Sequence, residues 1–172
     1  MLDTDPQKAA QYHIDRHVTK MILETAQILS TVHHIWDDPD HVPIEIYKPT
    51  HRNHPSVKWA ATSRAEYLWL RELWTELHIE YMYRYGAGKH DPRHASVKKL
   101  YAALYFPPYK MPDIHSTAAA PYMSKEFQAM PVDLKRINPV DAYREYYRTS
   151  KQTDASGKPM AKWTKRGKPE WF

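Results

Sequence analysis

The chain has 172 residues, a formal net charge of +5 and no cysteine, which excludes disulfides, thiolate metal sites and cysteine nucleophiles. It contains no apolar run long enough to span a membrane and no signal-peptide pattern at its start, so we expect a cytoplasmic protein. With only 4 glycines, it also lacks the P-loop and Rossmann glycine motifs, which excludes those two kinds of nucleotide site.

The first predicted helix begins at Asp5-Pro6 and extends to about Trp36. An acidic N-cap accepts free amide protons, and proline fits the first helical turn. Placed at intervals of about 100°, the apolar residues of this segment fall on one arc, which predicts the face that packs on the core. They are Ile14, Val18, Met21, Ile22, Ile28, Leu29 and Val32.

Prolines separate this helix from the next. Three of them between residues 37 and 53 predict a long loop, because proline removes an amide donor and disfavours helix in the preceding residue. A second helix is predicted to begin at Asn53, as its N-cap, and to end near Tyr85, where two glycines follow. A third helix is expected over residues 95–104.

The rest of the chain is predicted to wrap around these helices and to end in a tail. Five prolines lie between residues 107 and 138, which favours an irregular segment. A last helix is predicted from Pro139 to Ser150, and a basic, aromatic tail follows from about residue 151. Together the elements predict a mainly α fold, a single-domain helical bundle with long proline-rich loops.

A polar stripe runs along the first predicted helix beside its apolar arc. Its members recur at alternating steps of four and three residues, so they project along one flank. A stripe of this kind is often a solvated face, but this one is rich in histidine and lies where packing would half-bury it. We therefore predict a reaction surface with His17, Lys20 and Glu24 as catalytic residues. The full stripe is His13, His17, Lys20, Glu24, Gln27, Thr31 and His34.

The spacing of His13 and His17 also matches a pair of metal ligands on a helix. A third ligand from Glu24, His51 or His54 would complete a zinc or iron site and make the protein a metal-dependent hydrolase or nucleotide-modifying enzyme. The glutamate that follows the first histidine in metallopeptidases is absent, so we expect no metal and no cofactor.

Basic residues point to a nucleic-acid partner. His51, Arg52 and His54 cluster at the start of the second predicted helix, where free amides already favour an anion. Residues 135–172 hold ten basic residues against four acidic ones. Within them Trp163, Lys165 and Arg166 have the mixed aromatic and cationic character typical of strand binding, although the tail could instead pack on the helices.

Several motifs resemble the pyrimidine-dimer DNA glycosylases, small helical repair enzymes of phages and bacteria. The similarity covers the first half of the chain. It rests on Ile14-Asp15-Arg16, Glu24-Thr25-Ala26-Gln27, Tyr47-Lys48, Asn53-His54-Pro55 and the segment from Glu80 through Arg84 to Gly86. In this chain four residues separate the Tyr-Lys pair from Asn-His-Pro, whereas the family joins them directly.

The resemblance implies that Glu24 is the essential acid and that Arg16 and Arg52 hold a kinked double-stranded DNA. It also implies that the N-terminal α-amine is the nucleophile. That family exposes a small residue after removal of the initiator methionine, whereas Leu2 is bulky and should leave Met1 in place. Lys20 is therefore a second candidate for the nucleophile.

Arg84 completes the predicted DNA-binding set, although its spacing from Glu80 also favours an orienting salt bridge. We expect a monomer. A DNA-binding protein without catalysis is the alternative; its affinity would fall steeply with salt and would not depend on Glu24.

Overall fold

The computed structural model describes residues 1–113 and 139–172, and within these ranges the chain is mainly helical and forms no strand. The mainly α prediction is confirmed. Most of the predicted wrapping segment, residues 114–138, lies outside the described ranges. The helices are α1 (Pro6–Tyr12), α2 (Asp15–Trp36), α3 (Pro55–Ala60), α4 (Arg64–Tyr85), α5 (Ala95–Leu100) and α6 (Pro139–Ser150), with a 3-10 turn at Pro39–His41.

The first predicted helix is broken in two, because His13 and Ile14 adopt extended backbone conformations between α1 and α2. The carbonyls freed by the break are bound by distant parts of the chain. The Trp163 indole donates to the carbonyl of Tyr12, and the Arg84 guanidinium donates to the carbonyl of His13. Tertiary hydrogen bonds thus replace the helical ones that an uninterrupted helix would have made.

The second predicted helix is also divided, into α3 and α4. His54, rather than the expected Asn53, caps α3 by accepting from the amide of Ser56 at 3.2 Å. Ser63 begins α4 by accepting from the amide of Ala65, and its hydroxyl donates to the Glu66 carboxylate. A serine followed three residues later by glutamate is a capping-box pattern, which favours a new helix start at this point.

The remaining helices differ less from expectation. α5 ends at Leu100, four residues before the predicted end, and turns continue from there to Phe106. α6 has the predicted bounds. The expected loop between residues 37 and 53 is present and contains the 3-10 turn.

The main core lies between α2, α4 and α5. On α2 the predicted apolar arc is buried, with Ile22 and Leu29 fully enclosed against Trp74 and Leu77 of α4. α1 adds Ala9 and Ala10 to this core. One flank of α2 is therefore fixed toward the interior, and the polar stripe beside it lies at the core's edge.

The tail packs on the helices instead of extending into solvent. A second apolar cluster joins Leu2, Ile14, Tyr147 and Trp163, and the ring of Phe172 packs against it. Asp15 fixes the tail's backbone by accepting from the amide of Thr164 at 2.9 Å. Both ends of the chain thus meet at the start of α2.

Candidate functional site

A cavity of about 300 Å3 lies between α2, α4 and α6 at the edge of the core. Its walls are mostly apolar and aromatic, and its polar groups come chiefly from one end of α2 and from α6. The titratable groups that line it include those of Met1, His13, His17, Lys20, Tyr147 and Lys151. Concave, largely apolar sites with a few convergent polar groups are where ligands usually bind.

His17, a predicted catalytic residue, lies in this cavity wall. Its Nδ1 is 2.5 Å from the hydroxyl of Tyr147 on α6. Burial, and then the positive charges of His13, Lys151, Lys20 and Arg16, lower the pKa of His17 to about 3. The ring is therefore neutral at pH 7. Burial raises the pKa of Tyr147 well above 10, so its hydroxyl keeps its proton.

His13 lies beside His17, with the two ring centroids 6.3 Å apart. Its Nδ1 is 2.6 Å from the carbonyl oxygen of Ala9. Burial, opposed by the hydrogen bond to Ala9 and reinforced by the N-terminus and the Arg84 charge, lowers the pKa of His13 to about 4. The cavity therefore holds two neutral histidines side by side.

These two histidines should make the protein less stable in mild acid. Both pKa values lie below the 6.5 of an unfolded histidine, so unfolding takes up protons as the pH falls from about 6.5 toward 4, and the free energy of unfolding falls with it. His17→Gln removes one of these protons. It should therefore reduce the slope of the unfolding free energy against pH by about 1.4 kcal/mol per pH unit, as measured by urea titrations between pH 5 and 6.

His41 is the matched control, because its side chain is 80% exposed and lies outside the cavity. His41→Gln should leave the slope unchanged. If His17→Gln had the same slope as the wild type, His17 would be charged in the folded protein.

The α-amino group of Met1 is buried, and Met1 lines the same cavity. Burial lowers the pKa of this amine well below its usual value near 8. Arg144 fixes the neighbouring backbone by donating to the carbonyl of Leu2 at 2.9 Å and to the Asp3 carboxylate at 2.8 Å. Burial therefore favours the uncharged form of this amine, and an uncharged amine is a competent nucleophile.

Lys20 lines the cavity, and Glu24 lies next to it, one helical turn along α2. The Lys20 Nζ is 3.1 Å from Glu24 Oε1, and the Glu24 side chain is about one-third exposed. Glu24 also acts electrostatically on His54, where burial lowers the pKa and the Glu24 charge opposes that effect. The predicted carboxylate therefore lies between the cavity and the His54 turn.

The far end of the polar stripe is covered by the loop that precedes α3. The Thr31 hydroxyl accepts from the amide of Thr50 at 3.1 Å, and the His34 Nε2 is 3.0 Å from the carbonyl oxygen of Tyr47. These two residues hold the loop in place. The section of the stripe that remains open is the one around Lys20 and Glu24.

Four of the predicted DNA-binding residues lie on the surface. Arg16, His51, Arg52 and Lys165 are exposed, and His54 is half-buried. Arg52 donates to the carbonyl of His34 at 2.9 Å, and Lys165 donates to the carbonyl of Tyr83 at 2.7 Å. These contacts fix the two side chains without removing them from solvent.

Arg84, Trp163 and Arg166 have structural contacts that the DNA-binding prediction did not include. The side chain of Arg84 is fully buried and bridges Glu80 and Asp15. Trp163 is buried in the second apolar cluster. Arg166 is two-thirds buried and donates to both carboxylate oxygens of Glu80. Burial therefore argues against a DNA-binding role for Arg84 and Trp163: Arg84 joins α4 to the break between α1 and α2, and Trp163 holds the tail onto that break.

The metal alternative has no geometric support in residues 1–113 and 139–172, where no group of three or more histidine, aspartate or glutamate side chains is arranged to hold a metal ion. The Nδ1 atoms of His13 and His17 both lie within hydrogen-bond distance of oxygen atoms.

Sequence reasoning missed the wall that α6 contributes. Tyr143, Tyr147 and Lys151 recur at four-residue steps, which places them on one face of that helix. Such an aromatic face beside a lysine was the available signal. Its partner on α2 lies 130 residues away in the chain, and periodicity alone does not reveal that contact.

No family model matches this chain, and neither a curated protein nor a solved structure does. The resemblance to the pyrimidine-dimer DNA glycosylases stays a prediction from short motifs. In the two described ranges no helix has the length and apolar character needed to cross a membrane.

Proposed function

We propose that this protein is a DNA base-excision enzyme that breaks the N-glycosidic bond of a damaged or modified base with an amine nucleophile. The observation that supports this most is the composition of the cavity. A buried α-amine, two neutral histidines and Lys20 share one space of about 300 Å3. Bond cleavage at a sugar carbon needs an amine that is free to attack.

The chemistry assigns a separate role to Glu24. The amine lone pair attacks C1′ of the nucleotide, and the electrons of the bond between C1′ and the base leave with the base. Opening of the sugar ring then yields an imine between C1′ and the amine, with a proton moved to the ring oxygen. The Glu24 carboxylate stabilises the positive charge that develops at C1′ and transfers the protons.

The Met1 α-amine is the preferred nucleophile and Lys20 the second candidate. Lys20 forms an ion pair with Glu24, and an ion-paired amine is a protonated one. Burial of the Met1 amine favours the uncharged form instead. In this proposal Lys20 positions the Glu24 carboxylate and neutralises a nearby phosphate.

The proposed partner is double-stranded DNA, bound by a monomer in the cytoplasm. Cations lie on more than one side of the cavity, with the exposed Arg16 on α2 and the half-buried Lys151 just after α6. Both contribute to the positive field at His17. Such a rim would neutralise backbone phosphates on either side of an extruded nucleotide.

Borohydride trapping tests the proposal. The full chain is mixed with a duplex that contains a thymine dimer and, separately, with one that contains an abasic site, and each imine is reduced to a stable amine. We expect a covalent protein–DNA adduct on both, since the abasic aldehyde condenses with any competent amine. Mass spectrometry of the digested adduct should locate the link on Met1.

Two lysine variants separate the candidate amines. Lys20→Gln should still form the adduct if the Met1 amine is the nucleophile, whereas it should not if Lys20 is. Lys8→Gln is the matched control, because Lys8 is exposed on α1 and lies outside the cavity. Absence of an adduct on both duplexes would rule out the amine mechanism.

A further inference from the structure

The two cavity histidines differ in where each ring carries its proton. A carbonyl oxygen only accepts, so the short contact between His13 Nδ1 and the Ala9 oxygen requires the proton on Nδ1. The ring is neutral, which leaves Nε2 as a bare acceptor. Among the described residues no hydrogen bond to this Nε2 is present.

His17 has the opposite arrangement. The buried Tyr147 hydroxyl has His17 Nδ1 as its hydrogen-bond partner in the described part of the chain. If His17 donated to this oxygen, the hydroxyl proton would be left buried and unpaired among the described residues. Tyr147 therefore donates to Nδ1, and the proton of the neutral His17 ring is on Nε2.

The His13 ring thus offers an acceptor and the His17 ring a donor, and the two ring centroids lie 6.3 Å apart in one cavity wall. The titratable groups that act on the pair are the N-terminal amine and Arg84 for His13, and Lys151, Lys20 and Arg16 for His17. All of them are basic groups, so they do not favour protonation of either ring. The pair therefore stays uncharged and suits a neutral hydrogen-bonding edge.

The other walls suit a flat ring. Trp59 and Trp69 meet edge to face with centroids 5.8 Å apart, and both line the cavity together with Tyr146. Thr25 lies in the wall as well, and its buried hydroxyl has no partner in residues 1–113 and 139–172. A bound ligand with one more polar atom could satisfy it.

We propose that the cavity receives one unpaired nucleobase and binds its Watson–Crick edge, with His13 Nε2 accepting from a base N–H and His17 Nε2–H donating to the adjacent acceptor. Nucleobases present a donor next to an acceptor on that edge, and aromatic walls stack on their faces. Tyr147 is then a positioning residue, because it fixes which nitrogen of His17 donates. This inference rests on the proposed function for the source of the base.

A series of binding measurements tests the hydrogen bonds to the Watson–Crick edge directly. Short duplexes carry thymine, uracil or N3-methylthymine opposite a reduced abasic analogue, which keeps the base unpaired and cannot react with an amine. Fluorescence anisotropy should give equal affinities for thymine and uracil, whose edges are the same. N3-methylthymine should bind about 10-fold or more weakly, because the methyl group removes the N–H donor.

Variants assign this discrimination to the histidines. His13→Leu should reduce the preference for thymine over N3-methylthymine to about 2-fold or less, since the acceptor for the base N–H is lost. His41→Gln, on the exposed 3-10 turn, should preserve it. Nitrogen NMR of histidine-labelled protein should show the proton on Nε2 of His17 at pH 7 and a loss of that preference in Tyr147→Phe.

The outcomes separate this inference from the proposed function. Equal affinity for thymine and N3-methylthymine, weak binding of all three duplexes, or a proton on Nδ1 of His17 would each overturn the base-binding inference, even if borohydride adducts form. Preserved discrimination without any adduct would uphold the inference and remove the amine mechanism.

Discussion

Arg84→Met should lower the free energy of unfolding by about 3–5 kcal/mol, the usual effect of removing one partner from a buried ion pair. The Arg84 side chain is fully buried and lies 2.7 Å from the Glu80 carboxylate and 2.9 Å from that of Asp15. It also donates to two carbonyls at the break between α1 and α2. Methionine would fill the space and leave these acceptors without their donor.

Chemical denaturation of purified variants would measure the change. Arg84→Lys should show most of the same decrease in the free energy of unfolding, because one ammonium group cannot reach partners on three sides as a guanidinium does. Arg93→Met, which removes an exposed arginine, is the control and should change stability far less. If Arg84→Met proves insoluble, Arg166→Met offers a milder loss from the same network. An Arg84→Met protein as stable as the wild type would contradict the proposed role of the network.

Glu24→Gln should reduce base excision by about 10²–10⁴-fold, the range for loss of a positioned acid or base. Glutamine has nearly the same shape, but it carries no negative charge to stabilise C1′ and cannot take up a proton. Single-turnover cleavage of dimer-containing or abasic duplexes measures the effect. Thermal stability should change little, because Glu24 is partly exposed and pairs with an exposed lysine.

Glu72 provides a matched carboxylate, since it is exposed on α4 and does not line the cavity. Glu72→Gln should retain full activity. DNA affinity should survive in both variants, which distinguishes a catalytic carboxylate from one that shapes the binding surface. Unchanged cleavage by Glu24→Gln would favour another mechanism, and wild-type binding without any cleavage would favour a purely DNA-binding protein.

The predictable part of the fold is the part that local sequence controls. The apolar arc of α2 and the bounds of α6 follow from residue spacing and from proline at a helix start. The breaks before Asp15 and Arg64 were missed. At the first of them, hydrogen bonds from Arg84 and Trp163 compensate the lost helical ones, and these donors are far away in the chain.

The same limit applies to the site. Helical spacing placed His17, Lys20 and Glu24 on one flank, and the structure brings the first two into one cavity. Helical spacing could not predict that Tyr147 or the Met1 amine lines the cavity, because both reach it through packing of distant segments. Basic composition also does not distinguish an exposed cation such as Arg16 from one held by an internal carboxylate, as Arg166 is by Glu80.

The wall that α6 contributes has a consequence for synthesis of the protein. The contact between His17 and Tyr147 spans 130 residues, and the one between Asp15 and Thr164 spans 149. Contacts so far apart in the chain close slowly, and on a ribosome they cannot form before the last segment has emerged. Unfinished chains would therefore lack the wall of the cavity that α6 contributes, and under the proposed function such fragments would be unable to attack DNA.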